Sequence, residues 1–149
     1  MERLGRLCVV ILAVLAVVAL ALPAGADGGR MFVTEMTGAQ EVPPADPDGS
    51  GTASFTVNPG LGQICFDITS ENIALPLLAA HIHPGEAGVN GAPLVFLLHA
   101  EETDADGNFS GCTSVDRATA KDILKRPWAY YVNLHNDEFR SGAIRGQLA

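Results

Sequence analysis

The sequence predicts an all-β fold, an antiparallel β-sandwich with one short helix, on three observations. Apolar and polar side chains alternate with period two in short segments, clusters of Gly, Pro, Asn and Asp separate those segments, and one stretch alone carries helix-start and helix-stop residues. Eight short strands with turns between them fit two packed layers or a barrel. The sandwich is the form expected.

The first 26 residues stand apart from this pattern. Arg3 and Arg6 open a basic start, Leu7 to Leu22 is an apolar run of 16 residues, and Pro23 breaks it before Ala24-Gly25-Ala26. That is the layout of a secretory signal peptide with a small-x-small cleavage site. The run is shorter than the roughly 20 residues of a spanning helix, so no membrane span is expected after cleavage. Cys8 lies at the start of the run rather than after it, which argues against lipid attachment. Subtracting these 26 residues from 149 leaves 123, one domain from 27 to 149.

The remaining strands read in order. Met31 to Met36 is the first. Ala53, Phe55 and Val57 alternate with Thr52, Ser54 and Thr56; Asn58-Pro59-Gly60-Leu61-Gly62 turns the chain; Ile64, Phe66 and Ile68 resume the alternation as a hairpin. Leu78 to His83, Leu94 to Ala100, Phe109 to Val115, Trp128 to His135 and Ala143 to Leu148 supply the other five. Between the sixth and seventh, Asp116 caps a helix over Ala118 to Lys125, with Ile123 and Leu124 facing inward and Pro127 stopping it. Gly38 to Gly51 is the longest loop, and Pro43-Pro44 forces it to leave the sheet without amide donors.

Charge and cysteines narrow the partners. Without Arg3, Arg6 and Glu2, the 9 basic and 17 acidic side chains become 7 and 16, a balance of −9. Such a field repels nucleic acid and anionic lipid. Cys65 and Cys112 are the two thiols left in a chain bound for an oxidising compartment, and a disulfide between them is the economical reading. Closing that loop is worth about 3 to 4 kcal/mol in the chain-entropy model.

The most informative local feature is His81-Ile82-His83, followed at once by Pro84-Gly85 and a glycine-punctuated loop. On one strand the two imidazoles project from the same face, about 6 to 7 Å apart at Cα. In the later strand Trp128, Tyr130, Val132 and Leu134 take one face, which leaves Tyr131, Asn133 and His135 on the other. If the two strands are neighbours, His135 becomes a third nitrogen ligand, and three imidazoles with an open position suit zinc or copper. The competing reading has His81 and His83 hydrogen-bonding carbonyls of the Gly85 to Gly91 loop and binding nothing. His99, beside Glu101 and Glu102, reads as a strand-end residue. Asp104-Ala105-Asp106-Gly107-Asn108 resembles the start of a calcium loop, but Val115 stands where the bidentate glutamate belongs, so a hairpin turn is expected. The serines lack a nucleophile-elbow setting and no glycine loop opens a helix to hold phosphate, which leaves hydrolase and nucleotide readings with little support.

These residues also resemble a known family. Thr37-Gly38-Ala39-Gln40-Glu41-Val42-Pro43-Pro44, Gly49-Ser50-Gly51-Thr52-Ala53, Ala79-Ala80-His81-Ile82-His83-Pro84-Gly85 and Asn90-Gly91-Ala92-Pro93 are similar to successive motifs of the CHRD (chordin) domain family. Tyr130-Tyr131-Val132-Asn133-Leu134-His135 and Gly142-Ala143-Ile144-Arg145-Gly146-Gln147-Leu148 continue the match in the family's order. The resemblance implies an extracellular β-rich module without general catalytic activity. It is repeated in chordin, which sequesters growth factors, and occurs as a lone domain in microbial secreted proteins. One copy and no cysteine-rich binding repeats stand here, so growth-factor antagonism does not transfer.

The expectation is therefore a secreted, single CHRD-domain protein with an Ig-like or superoxide-dismutase-like sandwich. It acts as a non-enzymatic binding or matrix-interaction module for an extracellular protein or matrix ligand. The alternative is a secreted copper or zinc protein using His81, His83 and His135. A looser likeness to copper/zinc superoxide dismutases would add redox activity and an anion-attracting role for Arg145, although no zinc subsite is recognisable.

Overall fold

The computed structural model describes residues 29–99 and 103–149. The expected signal peptide, residues 1–26, lies outside them. Among the described residues eight strands form: β1 (Arg30–Thr37), β2 (Ser50–Asn58), β3 (Gln63–Glu71), β4 (Leu77–Pro84), β5 (Val95–His99), β6 (Phe109–Ser114), β7 (Tyr130–Asn136) and β8 (Ile144–Gln147). One helix, α1 (Arg117–Lys125), sits between β6 and β7. No helix among the described residues is long and apolar enough to cross a membrane.

All eight strands belong to one antiparallel sheet in the order β5-β4-β7-β8-β1-β2-β3-β6. The all-β expectation holds. The strands are continuous as one sheet, because β8 and β1 pair at Thr37 and Arg145 and so join two four-stranded halves. The terminal strands β5 and β6 come alongside one another, which curls the sheet nearly into a barrel.

The alternation read from sequence sets which face is inside. Phe32, Phe55, Ile64, Phe66, Ile68, Ile82, Val132, Leu134 and Ile144 fill one core. Ala120 and Ile123 of α1 join it, with Leu124 partly buried against it. Asp116 caps that helix as expected, accepting from the amides of Ala118 at 3.0 Å and Thr119 at 2.9 Å. One strand start differs. Pro127–Ala129 forms a 3₁₀ turn closed by the Ala129 amide on the Arg126 carbonyl, so β7 begins at Tyr130 and Trp128 is exposed rather than in the core.

Cys65 and Cys112 face each other across the β3–β6 ladder and form a disulfide with a sequence separation of 47. Its bond ties the terminal strand β6 to the sheet. The expected outcome of Cys65→Ser with Cys112→Ser is a loss of about 3 to 4 kcal/mol of unfolding free energy, read from urea denaturation. An unchanged midpoint would contradict it.

Candidate metal centre

The β4–β7 ladder pairs Ala79 with His135, His81 with Asn133 and His83 with Tyr131. Ala80, Ile82, Val132 and Leu134 are fully buried on the core side, which turns the three histidines outward on one face. Next to them, β8 sets Arg145 opposite Asn133 and Gln147 opposite Tyr131. This outer face is itself covered. Asn133 and Arg145 are 2% and 1% exposed, and Tyr131, His83 and Glu41 are buried as well.

Two loops supply the cover. The loop after β1 brings Glu41 over β7, and the loop after β4 is held by Arg145. One terminal nitrogen, Nη2, donates to the carbonyls of Glu86 at 3.0 Å and Val89 at 3.1 Å, and Nη1 donates to Asn90 Oδ1 at 3.3 Å. Asn90 in turn donates to the Val42 carbonyl at 2.6 Å, linking the loops. The guanidinium lies 3.4 Å from the centre of the Tyr131 ring, and that ring stacks on His83 at 4.8 Å. Arg145 thus caps loop carbonyls. Its expected anion-attracting role does not fit this placement, because both terminal nitrogens are hydrogen-bonded within the fold and the side chain is buried.

Glycine is required at one point of this cover. Gly142 has φ +133°, and a Cβ there would stand 2.2 Å from Glu41 Oε1.

The three expected ligands meet. One donor atom from each of His81, His83 and His135 can be chosen so that all lie within 4.8 Å of one another. His81 Nδ1 is 3.2 Å from His135 Nε2. An ion with ligands at about 2.1 Å sets them about 3.4 Å apart, so the widest gap closes by roughly 1.4 Å on loading. His99 ends β5 opposite Ala79.

The competing reading is present in part, for His83, and it strengthens the first. His83 Nδ1 is 2.9 Å from the Gly91 carbonyl and His135 Nδ1 is 3.0 Å from the Arg140 carbonyl. A carbonyl accepts only, so each Nδ1 carries the proton and each Nε2 of the neutral ring is a lone pair. Carbonyl partners of this kind orient metal-bound imidazoles and fix their tautomer. Among the described residues, His83 Nε2 is buried without a hydrogen-bond partner. A lone pair in that state carries a desolvation cost that a cation would relieve.

Glu41 and Asn133 were not predicted as site residues. Burial pushes the Glu41 carboxyl above its usual range, against hydrogen bonding from Asn133 and the charge of Arg145. Its Oε1 is the other buried polar atom without a partner among the described residues. Asn133 was legible as sharing the face of His135, whereas Glu41 reaches the site from a loop that period-two reasoning does not place.

The Asp104 segment is the expected hairpin turn. Its Oδ1 accepts from the amides of Asp106 at 2.9 Å and Asn108 at 2.8 Å.

Burial holds His83 and His135 below the ordinary histidine value of 6.5. The fold therefore favours the neutral rings, and the unfolded chain takes up protons first. The stability they contribute is present above 6.5 and is lost as pH falls through that value toward their folded pKa values. Denaturation midpoints of metal-free protein should drop between about pH 7.5 and about pH 5, and His83→Gln with His135→Gln should flatten that slope. Equal slopes in both proteins would contradict the assignment.

No curated protein and no solved structure matches the chain. The family model described as CHRD domain matches residues 32–148, a span that holds all eight strands apart from the first two residues of β1 and includes every histidine of the site. The chain belongs to the CHRD domain family.

Proposed function

We propose that this is an extracellular binding module without enzymatic activity, and that its ligand is a copper or zinc ion held by His81, His83 and His135. The observation that carries the reading is the pair of carbonyls, Gly91 and Arg140, which leave two Nε2 lone pairs beside His81 Nδ1. Neutral imidazoles suit both metals, and the ion would serve here as bound ligand. Extracellular placement is supported by the family, by the leader-like first 26 residues and by the Cys65–Cys112 bridge.

Binding rather than turnover is favoured by how the surrounding side chains are used. Arg145 holds the covering loop, Tyr131 stacks on His83, and Gln147 donates to the carbonyls of Gly85 at 2.7 Å and Trp128 at 2.8 Å. Each is committed to holding the face in shape. The superoxide-dismutase-like reading needs an accessible cation for an anionic substrate, and Arg145 does not serve.

Isothermal titration of protein purified without an affinity tag should give one copper or zinc ion per chain at micromolar affinity or tighter. Loss of an orienting partner typically weakens metal sites by about 10- to 100-fold, so His81→Ala, His83→Ala or His135→Ala should each cost about 100-fold or more. No binding by the unaltered protein would leave an extracellular protein or matrix component as the ligand. Binding that survives all three changes would refute this site.

A further inference from the structure

We infer that Asn133 is a fourth ligand, its Oδ1 completing the three imidazoles into a nitrogen–oxygen site for a divalent ion. The inference rests on the metal reading of His81, His83 and His135 and adds the residue that selects the ion.

Asn133 sits at the centre of the constellation. It pairs directly with His81 across the ladder, precedes His135 by two residues on the same face, and neighbours Tyr131, the partner of His83. Its Oδ1 is 3.0 Å from His135 Nε2. With the His135 proton held on Nδ1 by the Arg140 carbonyl, that contact joins two acceptors. Two acceptors at that distance repel; in the metal-free chain His81 Nδ1, 3.2 Å from the same Nε2, can donate to it, and a cation between nitrogen and oxygen would relieve the repulsion directly. His83 Nε2, without a partner among the described residues, is a third acceptor of the cluster.

The amide's orientation is set from behind. Glu41 lies against Asn133, and the space a Gly142 Cβ would fill is flanked by Glu41 Oε1 at 2.2 Å and Asn133 Nδ2 at 2.9 Å. The amide nitrogen therefore faces the carboxyl, where it donates, and the oxygen faces the imidazoles. Reversing the amide would set its oxygen against a carboxylate. Glu41 is thus a positioning residue for Asn133, as carbonyls are for His83 and His135.

An amide oxygen is a hard donor and no sulfur is among the ligands. This set favours zinc(II) or copper(II) over copper(I), which selects thiolate and thioether.

The experiment compares unaltered protein, Asn133→Asp and Asn133→Leu by copper(II) titration and electron paramagnetic resonance, with thermal melts of the metal-free proteins as a folding control. Asn133→Leu should weaken copper(II) about 10- to 100-fold and change the parallel hyperfine coupling, because an oxygen donor is lost. Asn133→Asp keeps the oxygen, adds charge, and should bind more tightly with an altered spectrum. If Asn133→Leu fails to fold, the Asp variant decides alone. Affinity and spectrum unchanged in the variants would overturn the fourth ligand while leaving the three-histidine site. Absence of copper(II) and zinc(II) binding by the unaltered protein would overturn the three-histidine reading itself.

Discussion

The register of β4 against β7 is the constraint on which the rest depends. His81 opposite Asn133 and His83 opposite Tyr131 put every polar group of the candidate site on one face of the sheet. The opposite face holds Ala80, Ile82, Val132 and Leu134 in the core. A slip of one residue would bury the imidazoles among those apolar side chains and expose the apolar set, so core packing enforces the geometry of the site. The hydrophobic interior and the polar constellation are two sides of the same pairing.

A sheet face covered by loops must satisfy its own polar groups, and here that demand is met unevenly. Arg145 hydrogen-bonds to the covering loop and lies over Tyr131, while Gln147 donates to three carbonyls, including Tyr130 at 2.7 Å. Those contacts account for two buried or half-buried polar side chains without any ligand. Glu41 Oε1 and His83 Nε2 are the exceptions among the described residues: His83 belongs to the histidine cluster, and Glu41 lies against Asn133 beside it. Unmet polar valence concentrated at one place is what a binding site for a cation requires.

Much of this was legible in the chain. Period-two alternation located all eight strands and the core face, Asp116 and Pro127 bounded the helix, and the two cysteines gave the disulfide. His-x-His followed by Asn-x-His on a second strand gave the shared face, because strand geometry sends alternate residues the same way. The continuity of the sheet was not legible, since the two halves join through the β8–β1 pair at Thr37 and Arg145 and the ends meet at β5 and β6, neither of which a local pattern encodes. Trp128 was misplaced because alternation runs on through a residue that Pro127 has already turned aside. The partners that set the imidazole tautomers, Gly91 and Arg140, are backbone carbonyls, and a carbonyl leaves no trace in residue identity.

The central claim is that His83 and His135 are neutral and protonated at Nδ1 before any ion arrives, so that each Nε2 is an acceptor, that of His135 facing His81 Nδ1 at 3.2 Å. Long-range proton–nitrogen correlation spectra of metal-free, nitrogen-15-labelled protein at neutral pH test it most directly. The account predicts that both rings show a protonated Nδ1 and an unprotonated Nε2, and that zinc shifts the two Nε2 resonances. Rings protonated at Nε2, or averaging freely between tautomers, would contradict it.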